Sequence, residues 1–148
     1  MTNPYRQILI AVDFMPDQAR LLERTRQLAD ANSHLVLLHV VEFLPMELTD
    51  EMFLPEDLEL EQKMAETAHK RLQQLADQAG LPGTLAVRVE TGPTKAEILR
   101  VAEEMPADLI VVGSHGRHGI SRLLGSTAQG VVHGAPCDVL AVRVGQSP

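Results

Sequence analysis

One stretch decides the fold of this chain: Leu109-Ile110-Val111-Val112-Gly113-Ser114-His115-Gly116. Its four apolar residues are typical of a strand buried on both faces of a parallel sheet. Glycines follow the strand, and Gly125-Ser126-Thr127 then opens a helical pattern. A strand, a glycine-rich loop and a helix N-terminus form a seat for phosphate, because free N–H groups point at the anion. The stretch therefore predicts a nucleotide-binding α/β protein.

Four further apolar runs extend this pattern along the chain. They are Ile8–Val12, Leu35–Val41, Leu85–Val89 and Val139–Val144, and segments with apolar residues at helical spacing separate them. Strands that alternate with helices indicate parallel βαβ units with right-handed crossovers. We therefore predict one α/β domain over residues 1–148, an open parallel sheet of five strands with helices on both faces.

Composition excludes several classes of protein. The 148 residues carry a net charge of −7, which argues against a surface for nucleic acid or anionic membranes. No apolar run approaches the roughly 20 residues of a membrane span. The first residues run directly into a strand pattern without a secretion signal, and the single Cys137 has no internal partner. We expect a cytoplasmic protein in which Cys137 is a packed thiol.

Polar residues at the carboxyl ends of the strands are the candidate ligand contacts, since open α/β sheets bind ligands there. Asp13 follows the first run, Val40 lies near the end of the second, and Gly113 ends the fourth. Asp13 and Gly113 meet if the strand order is 3-2-1-4-5. Asp13 would then accept from ribose hydroxyls or hold a divalent metal, or instead cap the first helix. Ser126 and Thr127 would likewise donate to phosphate or cap the fourth helix.

The loop side chains and one strand histidine are more ambiguous. His115 and His118 are spaced i, i+3, but no further ligand completes a metal site, so a loop histidine near phosphate is the better interpretation. Arg117 and Arg122 would reach a phosphate or remain solvated. His39 lies within an apolar strand and is interpreted as a hydrogen-bonded core histidine, not a base.

One segment departs from the alternating pattern. Residues Glu42–Gln62 are acidic, contain no Lys or Arg and carry interspersed large apolar residues. The segment is either an excursion packed on the edge of the domain or a lid over a ligand, since long loops in compact domains are often functional.

The chain resembles the universal stress proteins of the UspA type over essentially its whole length. The resemblance rests on Ile8–Phe14, Leu37–Val40, Gly92-Pro93, Asp108–Arg117 and Pro136–Val142. It implies a Rossmann-like sheet of order 3-2-1-4-5, similar to that of the adenine nucleotide alpha hydrolases. It also implies a homodimer in which the fifth strands, Val139 to Val144, pair antiparallel.

Nucleotide-binding members of this family carry Gly-x2-Gly-x9-Gly-Ser/Thr and hold ATP or a related adenine nucleotide, with Mg²⁺. Carried over, Asp13 would lie by the ribose and metal, and Val40 would contact adenine through its backbone. Gly113 and Gly116 would cradle ribose and phosphates. The full nucleotide-binding set so implied is Ala11, Asp13, Val40, Val112, Gly113, His115, Gly116, Arg117, Gly125, Ser126 and Thr127.

Two departures from the family pattern bear on phosphate binding. Eight residues, Arg117–Leu124, separate Gly116 from Gly125, one fewer than in the pattern. Met15-Pro16 stands where many members have Ser after Asp-Phe, which removes a hydroxyl.

The favoured function is an adenine-nucleotide-binding regulatory dimer in a stress response, with little or no catalysis. The alternatives are a dimeric interaction module of the same family that binds no nucleotide, and a slow ATP hydrolase.

Overall fold

A computed structural model describes residues 4–14, 18–42, 55–114 and 124–143. Strands and helices alternate through these ranges, as the apolar runs predict. In chain order the elements are β1 (Gln7–Ala11), α1 (Gln18–Leu28), β2 (His34–Val41), α2 (Pro55–Ala79), β3 (Thr84–Thr91), α3 (Thr94–Glu104), β4 (Leu109–Gly113), α4 (Ser126–Gly134) and β5 (Asp138–Val142).

The strands form one parallel sheet of order β3-β2-β1-β4-β5, which confirms the predicted fold class and strand order. β1 lies at the centre, where Ile10 pairs with Leu37 on one side and Val111 on the other. The sheet therefore brings the carboxyl ends of β1, β2 and β4 together at one edge.

Helices cover both faces of the sheet, and successive residues of each strand alternate between them. Ile8 and Ile10 pack with α1 and α2, whereas Leu9 packs with α3 and α4, and all three side chains are fully buried. This arrangement explains why β1 is a continuous apolar run rather than an alternating one. None of the described helices combines the length and apolarity that a membrane crossing requires.

Helix α2 begins inside the acidic Glu42–Gln62 segment. It starts at Pro55, a residue type tolerated in a first helical turn, so the second part of the acidic Glu42–Gln62 segment is helical. After its other end, Gly80 adopts the left-handed conformation (φ +61°) that ends many helices. The lid hypothesis otherwise falls on residues 43–54, which lie outside the described ranges.

Two smaller observations concern α4 and the cysteine. Ala128 and Val131 of α4 are buried, whereas Val132 is 46% exposed and does not belong to the packed face. Cys137 is half-buried against the apolar layer of α3 and α4. Burial raises the pKa of its thiol, and the carboxylates of Asp108 and Asp138 raise it further, as expected for a packed and unreactive thiol.

Candidate functional site

A cavity of about 910 Å³ opens where the carboxyl ends of β1, β2 and β4 meet. This volume is within the range of small-molecule sites. The cavity brings together the predicted residues that the structure describes, which are Ala11, Asp13, Val40, Val112, Gly113, Gly125, Ser126 and Thr127. The other predicted contacts, His115, Gly116 and Arg117, lie outside the described residues, as do His118 and Arg122.

Backbone hydrogen bonds join the two halves of the glycine motif. The Gly125 N–H donates to the Ser114 carbonyl at 2.7 Å, so the start of α4 lies against the end of β4. The Ser114 N–H in turn donates to the Val142 carbonyl of β5 at 2.8 Å. Gly113 and Ser126, which are far apart along the chain, therefore line the same cavity.

The N-terminus of α4 opens on this cavity without a capping side chain from the described residues. Gly125 is the N-cap, with φ −64° and ψ 162°, and it has no side chain to offer. Ser126 and Thr127 follow it inside the helix, so they are not N-cap residues, and that alternative is wrong. The first N–H groups of a helix lack intrahelical partners and carry a partial positive charge. This end of the cavity is therefore suited to an anion.

A second helix N-terminus, that of α3, lies at the same cavity but is capped. Glu42, just after β2, accepts hydrogen bonds through one carboxylate oxygen from both the N–H (3.1 Å) and the Oγ1 (2.5 Å) of Thr94. Thr94 is the first residue of α3, so a carboxylate compensates the dipole of this helix. The cap joins residues 52 positions apart, and the sequence pattern did not predict it.

Asp13 lies on the turn after β1, at the cavity, and is exposed. Its Oδ1 accepts a hydrogen bond of 2.9 Å from the side-chain amide of Gln18, the first residue of α1. Gln18 is itself buried, and its Oε1 has no hydrogen-bond partner among the described residues. The alternative that Asp13 caps the first helix concerns residues 15–17, which the structure does not describe.

His39 lies on the cavity wall next to the Asp13 turn. Its Nδ1 is 2.7 Å from the Val12 carbonyl oxygen, so Nδ1 carries the proton and donates. Burial lowers the pKa of His39, and the Arg71 charge lowers it further, whereas the bond to Val12 and the Asp13 charge raise it. The sequence predicts a hydrogen-bonded core histidine. The hydrogen bond is present, but the ring is half-buried and faces the site.

Phe14 completes the turn in an unusual conformation. Its φ of +61° is in the left-handed region, which costs an L-residue roughly 1–2 kcal/mol. The ring contacts two partners: the His39 ring, with centroids 4.3 Å apart, and the Arg71 guanidinium, whose Cζ is 4.2 Å from the Phe14 centroid. A cation over an aromatic face offsets part of this cost.

One wall of the cavity was missed by the sequence interpretation. Helix α2 supplies a face of residues at helical spacing, and two of them, Lys63 and Arg71, are cationic. Leu60 and Met64 are 50% and 37% exposed on this face, so the cavity wall is a partly uncovered apolar surface. The spacing was readable, but an amphipathic pattern does not tell whether a face meets the core or a cavity. The full face is Leu60, Lys63, Met64, Thr67, Ala68 and Arg71.

The carboxylates near the cavity do not form a metal centre of their own. Among the described residues no group of three or more His, Cys, Asp or Glu side chains could hold an ion. Within the part of the chain that the structure describes, Asp13 would therefore need ligand or water oxygens beside it to hold a cation.

Comparison with known proteins identifies the family of this chain. The sequence model of the Universal stress protein family matches residues 4–143. The chain belongs to the universal stress protein family. Universal stress protein A homolog 2 of Coxiella burnetii is 41% identical over 142 residues, covering 95% of this chain and 96% of the relative. Homolog 1 of the same organism is 37% identical over 139 residues, covering 93% and 96%.

Solved structures of family members share the fold. UspA from Lactobacillus plantarum is 28% identical, with a TM-score of 0.69 over 94% of this chain and 98% of that one. A universal stress protein in complex with cAMP is 24% identical, with a TM-score of 0.68 over 95% and 99%. A family protein from Arabidopsis thaliana with AMP bound is 18% identical, with a TM-score of 0.61 over 95% and 92%. The last two are similar to this chain in fold alone.

Proposed function

We propose that this family member is a regulatory protein that binds an adenine nucleotide, ATP or a relative, as a homodimer with little or no catalysis. The observation that carries the proposal is the uncapped N-terminus of α4, which shares one cavity with Asp13 and the end of β2. Family structures with cAMP and AMP support it to the extent that the same fold holds adenine nucleotides.

The described residues offer each part of a nucleotide a chemically suitable partner. The N–H groups and hydroxyls of Ser126 and Thr127 suit the phosphates, and the Asp13 carboxylate suits ribose hydroxyls. Val40 and Ile98 add apolar surface for a base, while Val40 also has backbone groups at the strand end. Mg²⁺ would be held by Asp13 and phosphate oxygens together, in keeping with its preference for a few carboxylates plus phosphates.

We propose little or no hydrolysis because no lysine follows the glycines of the motif, as one does in a P-loop. Glu42 accepts two hydrogen bonds from Thr94 and caps α3. The Nδ1 of His39 is bonded to a backbone carbonyl, and Asp13 accepts from Gln18. Each of these contacts gives its side chain a structural role in the fold, and together with the missing lysine they favour binding over turnover.

The two edge strands differ in a way that supports dimerisation through β5. On β3, Arg88 and Glu90 form an ion pair at 2.7 Å, and Arg100 and Glu104 of α3 extend the network. Charges on an edge strand discourage pairing with another chain. On β5, only the first residue, Asp138, is charged, so this edge is the better place for a second copy.

The nucleotide proposal is tested on protein purified without added nucleotide. After denaturation, the supernatant is analysed by chromatography and mass spectrometry, and the ligand-free protein is titrated calorimetrically with ATP, ADP, AMP and cAMP in the presence of Mg²⁺. We expect either a released adenine nucleotide or saturable binding with one site per chain. No release and no binding up to millimolar concentration would favour the interaction module that binds no nucleotide.

The dimer proposal is tested by sedimentation of two matched variants. Val139→Lys places a charge on β5, and Val87→Lys places the same charge on β3; both valines are half-buried. We expect a dimer for the wild type and for Val87→Lys at micromolar concentration, and a monomer for Val139→Lys. A monomeric wild type, or a dimer lost only in Val87→Lys, would contradict the proposal.

A further inference from the structure

Asp13 is the middle residue of a turn whose two flanking residues both contact His39. On one side, the Val12 carbonyl accepts the His39 Nδ1 hydrogen bond of 2.7 Å. On the other side, the Phe14 ring packs on the imidazole at 4.3 Å, with an interplanar angle of 34°. One side chain of β2 therefore holds both ends of the segment that presents Asp13 to the cavity.

The register of the sheet explains why His39 reaches this turn. Ala11 pairs with Leu38, and the Val12 N–H donates to the Leu38 carbonyl at 2.9 Å. The next residues of the two strands are then side by side, with the His39 ring beside the Val12 carbonyl. Both backbone polar groups of Val12 are thus bonded to β2, and the chain leaves the sheet only at Asp13.

The contact with the His39 ring stabilises Phe14, whose backbone conformation is unfavourable. Phe14 has a φ of +61°, and a bulky side chain in the left-handed region persists only where its surroundings fix it. Its ring packs against both His39 and Arg71, the latter from α2. If the ring lost the His39 face, the turn could relax toward ordinary conformations and move Asp13.

We propose that His39 is a positioning residue for Asp13, acting through the Val12 carbonyl and the Phe14 ring. The inference rests on the proposed function, since it assigns to His39 the preorganisation of the nucleotide site. A carboxylate already held where the ligand needs it avoids the entropic cost of ordering the turn on binding. In this role His39 raises nucleotide affinity through Asp13.

A double-mutant cycle tests this role, because residues that act through one another are not additive. His39→Phe keeps an aromatic face for Phe14 but removes the donor to Val12, and His39→Asn keeps a donor but removes the ring. ATP affinity is measured for both variants in the wild-type background and in an Asp13→Ala background.

In the wild-type background we expect each substitution, which disturbs one of the two contacts, to weaken ATP binding by about three- to tenfold. In the Asp13→Ala background the same substitutions should change affinity by less than about twofold. Equal losses in both backgrounds, or no loss in the wild-type background, would overturn the inference.

A second measurement keeps the inference distinct from the proposed function. Backbone amide ¹⁵N relaxation of Asp13 and Phe14 is recorded in the nucleotide-free wild type and in His39→Asn. We expect increased mobility of these two amides in the variant, while the amides of β1 are unchanged. Unchanged relaxation would refute the positioning role whether or not ATP binds, whereas a wild type that binds no nucleotide would refute the proposed function alone.

Discussion

Helices α3 and α4 both begin at the candidate site, but a carboxylate caps only the first turn of α3. The start of α3 is capped by the Glu42 carboxylate, which binds the N–H and hydroxyl of Thr94. The start of α4 follows Gly125 and has no capping side chain from the described residues. A protein that caps one helix with its own anion and leaves the neighbouring one uncapped has room for an external anion at the second.

The comparison also explains the charge distribution of the cavity. Both helix ends carry the same partial positive charge, so both would attract phosphate if left open. Glu42 neutralises one of them and places a negative charge there, which would direct an anionic ligand toward Ser126 and Thr127. In the proposed function, the glycine motif would therefore act by leaving the N-cap of α4 without a side chain, in addition to its conformational freedom.

The largest expected effect comes from giving α4 an anion of its own. Gly125→Asp supplies a carboxylate cap, and the φ of −64° at this position suits any L-residue. Like charges in contact cost several kcal/mol, so we expect ATP binding to weaken by about 100-fold or more. Gly125→Asn is the matched control, since it caps equally well without charge.

The free energy of unfolding distinguishes a specific loss of ATP binding in these variants from damage to the fold. Asp or Asn in place of an N-cap glycine changes helix stability by only a few tenths of a kcal/mol, in the favourable direction. Urea unfolding of both variants should therefore match or exceed the wild type. Equal ATP affinity in Gly125→Asp and wild type would show that phosphate does not bind at the start of α4.

Removing the cap of α3 should lower folding stability without weakening ATP binding. Glu42→Ala removes the cap of α3, so we expect the free energy of unfolding to fall by about 1 kcal/mol. It also removes a negative charge from the cavity, so ATP affinity should stay level or rise a few-fold. Glu42→Gln, which retains an acceptor oxygen, is the control. A loss of ATP affinity in Glu42→Ala with full affinity in Glu42→Gln would assign Glu42 to the ligand and not to the helix.

The smallest effect concerns His39, which contacts the turn after β1. It is seen in the pH dependence of the free energy of unfolding. Burial lowers the pKa of folded His39 below the 6.5 of the unfolded chain. The unfolded state therefore binds more protons between the two values, and the free energy of unfolding falls as pH drops through that window. Above about 6.5 this group contributes no pH dependence.

The check is urea unfolding of wild type and His39→Asn from pH 5 to 8. The wild type should lose stability on acidification more steeply than the variant, and a direct NMR titration should place the His39 pKa below that of an unperturbed imidazole. Superimposable pH profiles of the two proteins would contradict the assignment.

The apolar runs located the strands, and requiring Asp13 and Gly113 to meet made β1 and β4 neighbours. The full order 3-2-1-4-5 was predictable from the resemblance to the universal stress proteins. The cavity wall of α2 was not, because the spacing of Leu60, Met64 and Arg71 fits a core face equally well. The cap that Glu42 forms on α3 was not predicted, and neither was the partner of the His39 hydrogen bond, the Val12 carbonyl. Each depends on which residues of distant segments lie side by side, and that information comes from sheet register rather than from local pattern.

The most direct test of the difference between the two helix starts is a backbone amide NMR titration with ATP and Mg²⁺. The amides of Ser126 and Thr127 should shift with a common saturation curve, because their N–H groups would bind phosphate. The Thr94 amide, already bonded to Glu42, should shift little. Shifts at Thr94 as large as those at Ser126, or none at Ser126 and Thr127 at saturating ATP, would contradict this account of the site.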